Sequence, residues 1–156
     1  MNTVEFRSKT TASAAALFRL FADPDGLSKL TDPSDGVVLS RSEGEMREGF
    51  EVTVRVPLGP LGVRWTSVIT EWRPGEHFTD EAIRSPFARW RHRHGVEADG
   101  EHGWIVDRVE YALPMGPLGE LAAGWFVRRK FDDLFRRRHR KHAEMAGGRV
   151  IAGHGA

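Results

Sequence analysis

The chain has 156 residues, with 23 Lys plus Arg against 22 Asp plus Glu, seven His, no Cys and 40% hydrophobic residues. That length and balance suit one compact domain with its own core and leave no room for two. Without Cys, disulfides, thiolate metal sites, iron–sulfur clusters and thiol catalysis are excluded. The longest mainly apolar stretch, Ala12 to Ala22, is interrupted by Ser13 and Arg19 and falls far short of the roughly 20 residues that span a bilayer. Glu5 precedes any apolar run and no basic leader with a small-residue cleavage site follows Met1, so a cytoplasmic location is expected. The net charge of +1 is unevenly spread. Pro117 to Glu144 holds eight basic and four acidic residues, which leaves the remainder net negative.

Val4 and Phe6 alternate with Glu5 and Arg7, as in a half-buried first strand. Thr11 or Ser13 can cap a helix whose body runs from Ala14 to Phe21 and carries Leu17, Phe18, Leu20 and Phe21. The run from Asp23 to Gly26 ends it; Leu27 to Leu30 can add one more turn before the loop from Asp32 to Gly36. From there the period changes to two, the mark of strands with one buried face. The expected strands are Val37 to Arg41, Phe50 to Val56, Val63 to Trp72, Glu76 to Arg84, Pro86 to Val96 and Glu101 to Leu113. In the third of these Trp65 and Ile69 are placed on one side and Val68 and Trp72 on the other. Ala98, Asp99 and Gly100 join the last two strands in a hairpin.

A helix of some 25 residues is expected from Pro117, ending at Gly147 and Gly148. It has two apolar stripes on different faces: Leu118, Leu121, Ala122 and Trp125, then Val127, Phe131, Leu134 and Phe135. One flat surface cannot bury both, so the helix curves, bends near Gly124, or uses its first part to cover something other than the sheet. Residues 147–156 are expected to be a flexible tail after a single domain over 1–146. Pro57 to Gly62 and Pro114 to Gly119 share the pattern Pro-x-Gly-Pro-Leu-Gly, each after a strand; they are either stiff turns or two apolar lips at a cavity mouth. The whole is an α+β chain: a curved antiparallel sheet of about seven strands, two short helices near the amino terminus and one long carboxy-terminal helix over a cavity.

Several local strings in this order resemble the SRPBCC superfamily, the helix-grip fold shared by START domains, Bet v 1-like proteins and bacterial polyketide cyclases and dehydrases. The likeness rests on Phe21-Ala22-Asp23-Pro24 with Leu27 to Leu30; Phe78 and Asp80; Trp90-x-His92-x-His94; Asp107-x-Val109-x-Tyr111-x-Leu113-Pro114; and Phe126 through Arg138. It covers nearly the whole chain and is closest to the bacterial ligand-binding members. The pattern usually has an aromatic residue two positions after the second histidine, where Val96 stands here. The resemblance implies an elongated cavity for a small hydrophobic molecule, aromatic, polyketide-like or lipid-like, and not one fixed reaction. No cofactor is assigned.

Trp90, His92 and His94 share one side of their strand while Arg89, Arg91 and Arg93 take the other; the arginines choose water, so the histidines face inward. On the next strand the apolar side of Ile105, Val109 and Leu113 also carries Asp107 and Tyr111. A buried carboxylate needs partners. A His-Asp-Tyr cluster is therefore expected, either as a satisfied network lining a cavity or as a catalytic group. In the second case His92 or His94 is the acid or base, Asp107 orients it and Tyr111 stabilises an enolate or phenolate. His-x-His with Asp107 could offer three metal ligands, but no spacing fixes that geometry, and no metal is assigned. Asp80 and Phe78 are placed in the pocket, with Trp65 and Trp125 as its flat walls. The basic run from Arg136 to Lys141 reads as a solvated helix face or as a contact for a partner or a lipid headgroup; specific nucleic-acid recognition is not expected. No phosphate-cradling loop is present. Oligomeric state is left open.

Overall fold

In a computed structural model, described for residues 1–60 and 62–155, the chain forms one eight-stranded antiparallel sheet and three helices. In chain order these are β1 (Asn2–Thr10), α1 (Ala14–Ala22), α2 (Gly26–Leu30), β2 (Val37–Arg41), β3 (Glu51–Val56), β4 (Val63–Arg73), β5 (His77–Arg84), β6 (Arg89–Asp99), β7 (His102–Ala112), α3 (Pro117–Met145) and β8 (Val150–Gly153). The sheet order is β2-β3-β4-β5-β6-β7-β1-β8. The hairpins β2 to β7 follow one another, and β1 returns to pair with β7 over its whole length, from Asn2 opposite Tyr111 to Thr10 opposite Gly103.

Local chemistry sets the boundaries. Ser13 rather than Thr11 caps α1, its Oγ accepting from the Ala16 amide at 3.1 Å. The β5–β6 connection is longer than expected and β6 starts at Arg89, because Pro86 has no amide to give and Ser85 Oγ accepts from the Phe87 amide instead. The turn after Asp99 is made by Gly100 at φ 63° and closes with Asp99 opposite His102. α3 ends in a Schellman turn: Gly147, at φ 82°, donates to Glu144 O, and Gly148 donates to Ala143 O at 2.8 Å.

Two expectations are corrected. A register shift between Ile69 and Glu71 turns Trp72 onto the side of Trp65 and Ile69, where it faces Phe78 and packs on Phe18. The segment after the Schellman turn is no flexible tail over its whole length: β8 pairs with the outer edge of β1, the Thr11 amide donates to Arg149 O at 2.9 Å, and the Gly155 amide reaches Ser8 Oγ at 2.9 Å. This adds an eighth strand to the expected seven. Of the Pro-x-Gly-Pro-Leu-Gly repeat, Leu61 lies outside the described residues.

α1 lies across β6 and β7, and α3 lies against β1, β8 and both short helices. The second apolar stripe of α3 is the one that packs: Phe131 and Phe135 are buried with Phe6, Trp90, Val109, Tyr111 and Leu113, and Phe135 stacks on Phe6 at 4.4 Å. A separate cluster under α1 and α2 joins Leu17, Phe18, Phe21, Phe50, Ile69, Phe78, Val96 and Ile105. A layer of polar side chains lies between the two. His92 and His94 follow Trp90 and precede Val96, and Asp107 sits between Ile105 and Val109.

Candidate functional site

The polar layer is assembled by register. Asp80 of β5 stands opposite His92, and His94 of β6 opposite Asp107 of β7, so four alternating positions on three neighbouring strands converge on one face. α3 supplies the fifth member, His139, one helical turn beyond Phe135 and on the same buried stripe as Phe131. Reading the sequence did not single it out. The available signal was the series Phe131, Phe135, His139 and His142 at spacings of four, four and three, which continues the apolar face with two imidazoles.

Asp107, 2% exposed, is the hub. Its Oδ1 accepts from His92 Nε2 at 2.6 Å and lies 3.2 Å from His94 Nδ1; its Oδ2 accepts from His139 Nε2 at 2.7 Å. His94 Nε2 is 2.7 Å from Asp80 Oδ2. His139 Nδ1 is 2.7 Å from Ser8 Oγ, which also accepts from the Gly155 amide. The rings are in contact as well: His94 stacks on Phe78 at 4.3 Å, and its centre lies 3.6 Å from that of His92.

Protonation follows from these partners. Burial alone would raise the Asp107 carboxyl, but three imidazole hydrogen bonds hold it well below the usual carboxylate range. Asp80 is likewise lowered, with His94 outweighing its burial. Burial opposes the charge on His94, yet the two carboxylates flanking it raise its pKa. His92 goes the other way: burial and the neighbouring His94 cation push it down to about 4. Both nitrogens of His94 face carboxylates, which favours its charged form, while burial and His94 favour the neutral form of His92. The nearby guanidinium of Arg138, stacked 5.6 Å over Phe135, is lowered by burial and attracted by Asp107 and Asp80.

Not every expected residue joins. Tyr111 is fully buried and its hydroxyl has no hydrogen-bond partner among the described residues, so it stands near the cluster without bonding to it. Its ring packs on Phe131 and Phe87 instead. Trp65 is half-buried on the inner face of β4, edge-on to Trp90 at 4.7 Å, with its indole donating to Ser67 Oγ at 3.0 Å. Trp125 is not a wall of this space: it is 73% exposed, with Arg129 5.8 Å over its ring.

Against known proteins, the family model described as polyketide cyclase / dehydrase and lipid transport matches residues 10–137. The chain belongs to this family. It is of the SRPBCC type, as the residue pattern implied. Solved structures share its fold at low identity. A protein from Thermus thermophilus, TTHA0849, is 16% identical with a TM-score of 0.70, covering 93% of this chain and 97% of that one. The Zhui aromatase/cyclase from Streptomyces sp. R1128 is 16% identical with a TM-score of 0.64, covering 93% and 90%. A START superfamily protein from Mycobacterium smegmatis is 14% identical with a TM-score of 0.58, covering 85% and 93%. No curated protein matches by sequence.

Among the described residues, the side chains that could hold a metal together are Asp80, His92 and His94, whose ligand atoms lie within 4.8 Å of one another. Both nitrogens of His94 already face carboxylates, so ligation there displaces a hydrogen bond. One cleft of about 260 Å³ lies on the outer sheet face among Glu71, His77, Arg91, Arg93, Arg108 and Glu110. A second, of about 340 Å³, runs between Leu30 and Asp35 on one side and Leu134 to Glu144 on the other, and reaches Arg138. Neither opens on the concave face near Trp65. The basic run of α3 is tied into the protein's own structure: Arg137 pairs with Asp35 at 2.6 Å and Arg140 Nε donates to Gly155 O at 2.7 Å.

Proposed function

We propose that the protein binds a small hydrophobic molecule, aromatic, polyketide-like or lipid-like, on the inner face of β3 and β4 beneath the first half of α3. The supporting observation is how incompletely that face is covered. Val52, Val54, Trp65 and Ser67 are only half-buried, whereas the equivalent positions of β6 and β7, under Phe131 and Phe135, are closed off. Apolar surface next to a few fixed polar groups is what a ligand site requires. Expansion of this space needs only the amino-terminal half of α3 to shift, since its buried anchors begin at Phe131 apart from Gly124. The test is native mass spectrometry of the protein from its own host, together with titration by the fluorescent probe anilinonaphthalene sulfonate. A retained small molecule or saturable probe binding that weakens at least about tenfold in Trp65→Ala is expected; no retained molecule and no saturable binding would overturn the reading.

A second reading, a cyclase or dehydratase, is favoured by one observation: a neutral His92 beside the His94 imidazolium is a base and an acid within one ring contact. Asp107 orients both. Loss of ligand binding in His92→Ala with unchanged turnover of a candidate polyketide would remove this reading and leave the first intact.

A further inference from the structure

The structure leaves the first apolar stripe of α3 in water, and it is not alone there. Leu121 is 87% exposed, Met115 77%, Trp125 73% and Leu118 65%, and Leu58 and Ile83 are exposed as well. Register puts Leu58, Ile83 and Met115 at one end of the sheet, and Leu118, Leu121 and Trp125 follow Met115 in the first turns of α3. Val56 opposite Val63 closes the β3–β4 turn that carries Leu58; Thr66 opposite Arg84 brings in Ile83; Arg89 opposite Ala112 brings in the exit from β7 to Met115. Asn2 at the start of β1 donates to Glu120 and ties the first turn of α3 to the same end. Met115 is held with φ at 65° and Gly116 at 53°, so the sharp reversal into α3 pushes Met115 outward in a backbone region that a methionine rarely takes.

The charges around this end are mainly positive. Arg64, Arg84, Arg89, Arg128, Arg129 and Lys130 are all exposed, and among the described residues none of them is in an ion pair. The carboxylates along this part of α3 are Glu120, already engaged by Asn2, and the exposed Asp132 and Asp133 that follow Lys130, so cations outnumber them. Arg129 and Lys130 lie over the Trp125 and Phe126 rings at 5.8 and 5.5 Å, which keeps their cations level with the apolar tips.

We propose that this end of the molecule docks on an anionic lipid bilayer. The protruding Leu, Met and Trp side chains enter the interface between headgroup and acyl chain, and the ring of arginine and lysine meets the lipid phosphates. Charge complementarity selects this occupant over a second copy of the chain, because two copies meeting face to face would bring the same cations together. The inference does not depend on which small molecule, if any, the interior takes.

The test is co-sedimentation of the full chain with vesicles of equal parts phosphatidylglycerol and phosphatidylcholine, beside vesicles of phosphatidylcholine alone. At least about tenfold stronger retention on the anionic vesicles is expected. The double variant Leu121→Ser/Trp125→Ser should lose about tenfold in retention with an unchanged urea midpoint, since both residues are exposed. Absence of retention on anionic vesicles overturns the proposal. So does retention indifferent to the double variant, which would be generic charge attraction, and so does a dimer in sedimentation equilibrium that the same double variant dissolves. Saturable binding of anilinonaphthalene sulfonate by the same double variant separates this result from the fate of the internal ligand.

Discussion

His139 of the carboxy-terminal helix and Asp107 of β7 meet with Nε2 2.7 Å from Oδ2, both side chains withdrawn from solvent. The contact fastens α3 to the sheet by a charge-assisted hydrogen bond at the level where the two apolar clusters part. The same carboxylate satisfies His92 and His94, so one buried anion fixes the orientation of three imidazoles from two elements, a strand and a helix.

Removing that anion is the most direct probe of the layer. Asp107→Asn keeps the size but leaves the His94 imidazolium with one counter-charge and sets an amide against donors from three rings. Breaking a buried, paired charge in this way is expected to cost roughly 3–5 kcal/mol, read as a fall in ΔG of unfolding in urea. A loss below about 1 kcal/mol would mean that the hub contributes little to stability.

The histidines also set a pH profile. His92 and His142 are pushed down to about 4, both chiefly by burial, so the folded state binds their protons less readily than the unfolded chain does. Their contribution is complete above pH ~6.5, the unfolded value, and is lost as pH falls toward 4. His94 is raised, so its contribution is complete below the unfolded value and is lost as pH rises through its folded pKa. Asp80 and Asp107 are lowered, and theirs is lost only in more acidic solution, as pH drops through their folded values. Near pH 5 the slope is therefore set by His92 and His142, at about 2.7 kcal/mol per pH unit if both take up a proton on unfolding. Half-exposed His154, also lowered by burial, adds a smaller contribution of the same sign. Urea midpoints between pH 6.5 and 5 should fall steeply, and His142→Gln should roughly halve the slope; a flat profile in that window would show that these imidazoles are charged in the folded state.

Deleting residues 149–156 strips β8 from the edge of β1. The Thr11 amide loses Arg149 O, Ser8 Oγ loses the Gly155 amide, and Arg140 loses Gly155 O. A cost of roughly 1–3 kcal/mol is expected from these unsatisfied groups, with accelerated hydrogen exchange at Thr11. Exchange at Thr11 that matches the intact chain would show that β8 adds nothing to the edge.

Much of the architecture was legible because alternation and helical period are local quantities. The side of the strand that His92, His94 and Asp107 occupy could be read from the arginines and aliphatics beside them, and β2 falls on Val37–Arg41 as expected. Other features were not local. Trp72 changes sides through a bulge that no alternation announces, and β8 is too short and too flanked by glycine to show a period. Tyr111 shares the inward face of Asp107, yet its hydroxyl finds no partner, because facing the same way does not bring two groups within bonding distance.

What the amino-acid order determined by itself was which side chains share a face: a two-residue or 3.6-residue repeat assigns a side chain to a face whatever the rest of the chain does. What only the tertiary structure decided was who meets whom on that face. His139 joins Asp107 from a helix 32 positions further along, and of the two apolar stripes of α3 only the second found a sheet beneath it. Register and helix placement are properties of the packed whole, and the stripe left in water is the one that the sequence alone could equally have assigned to the core.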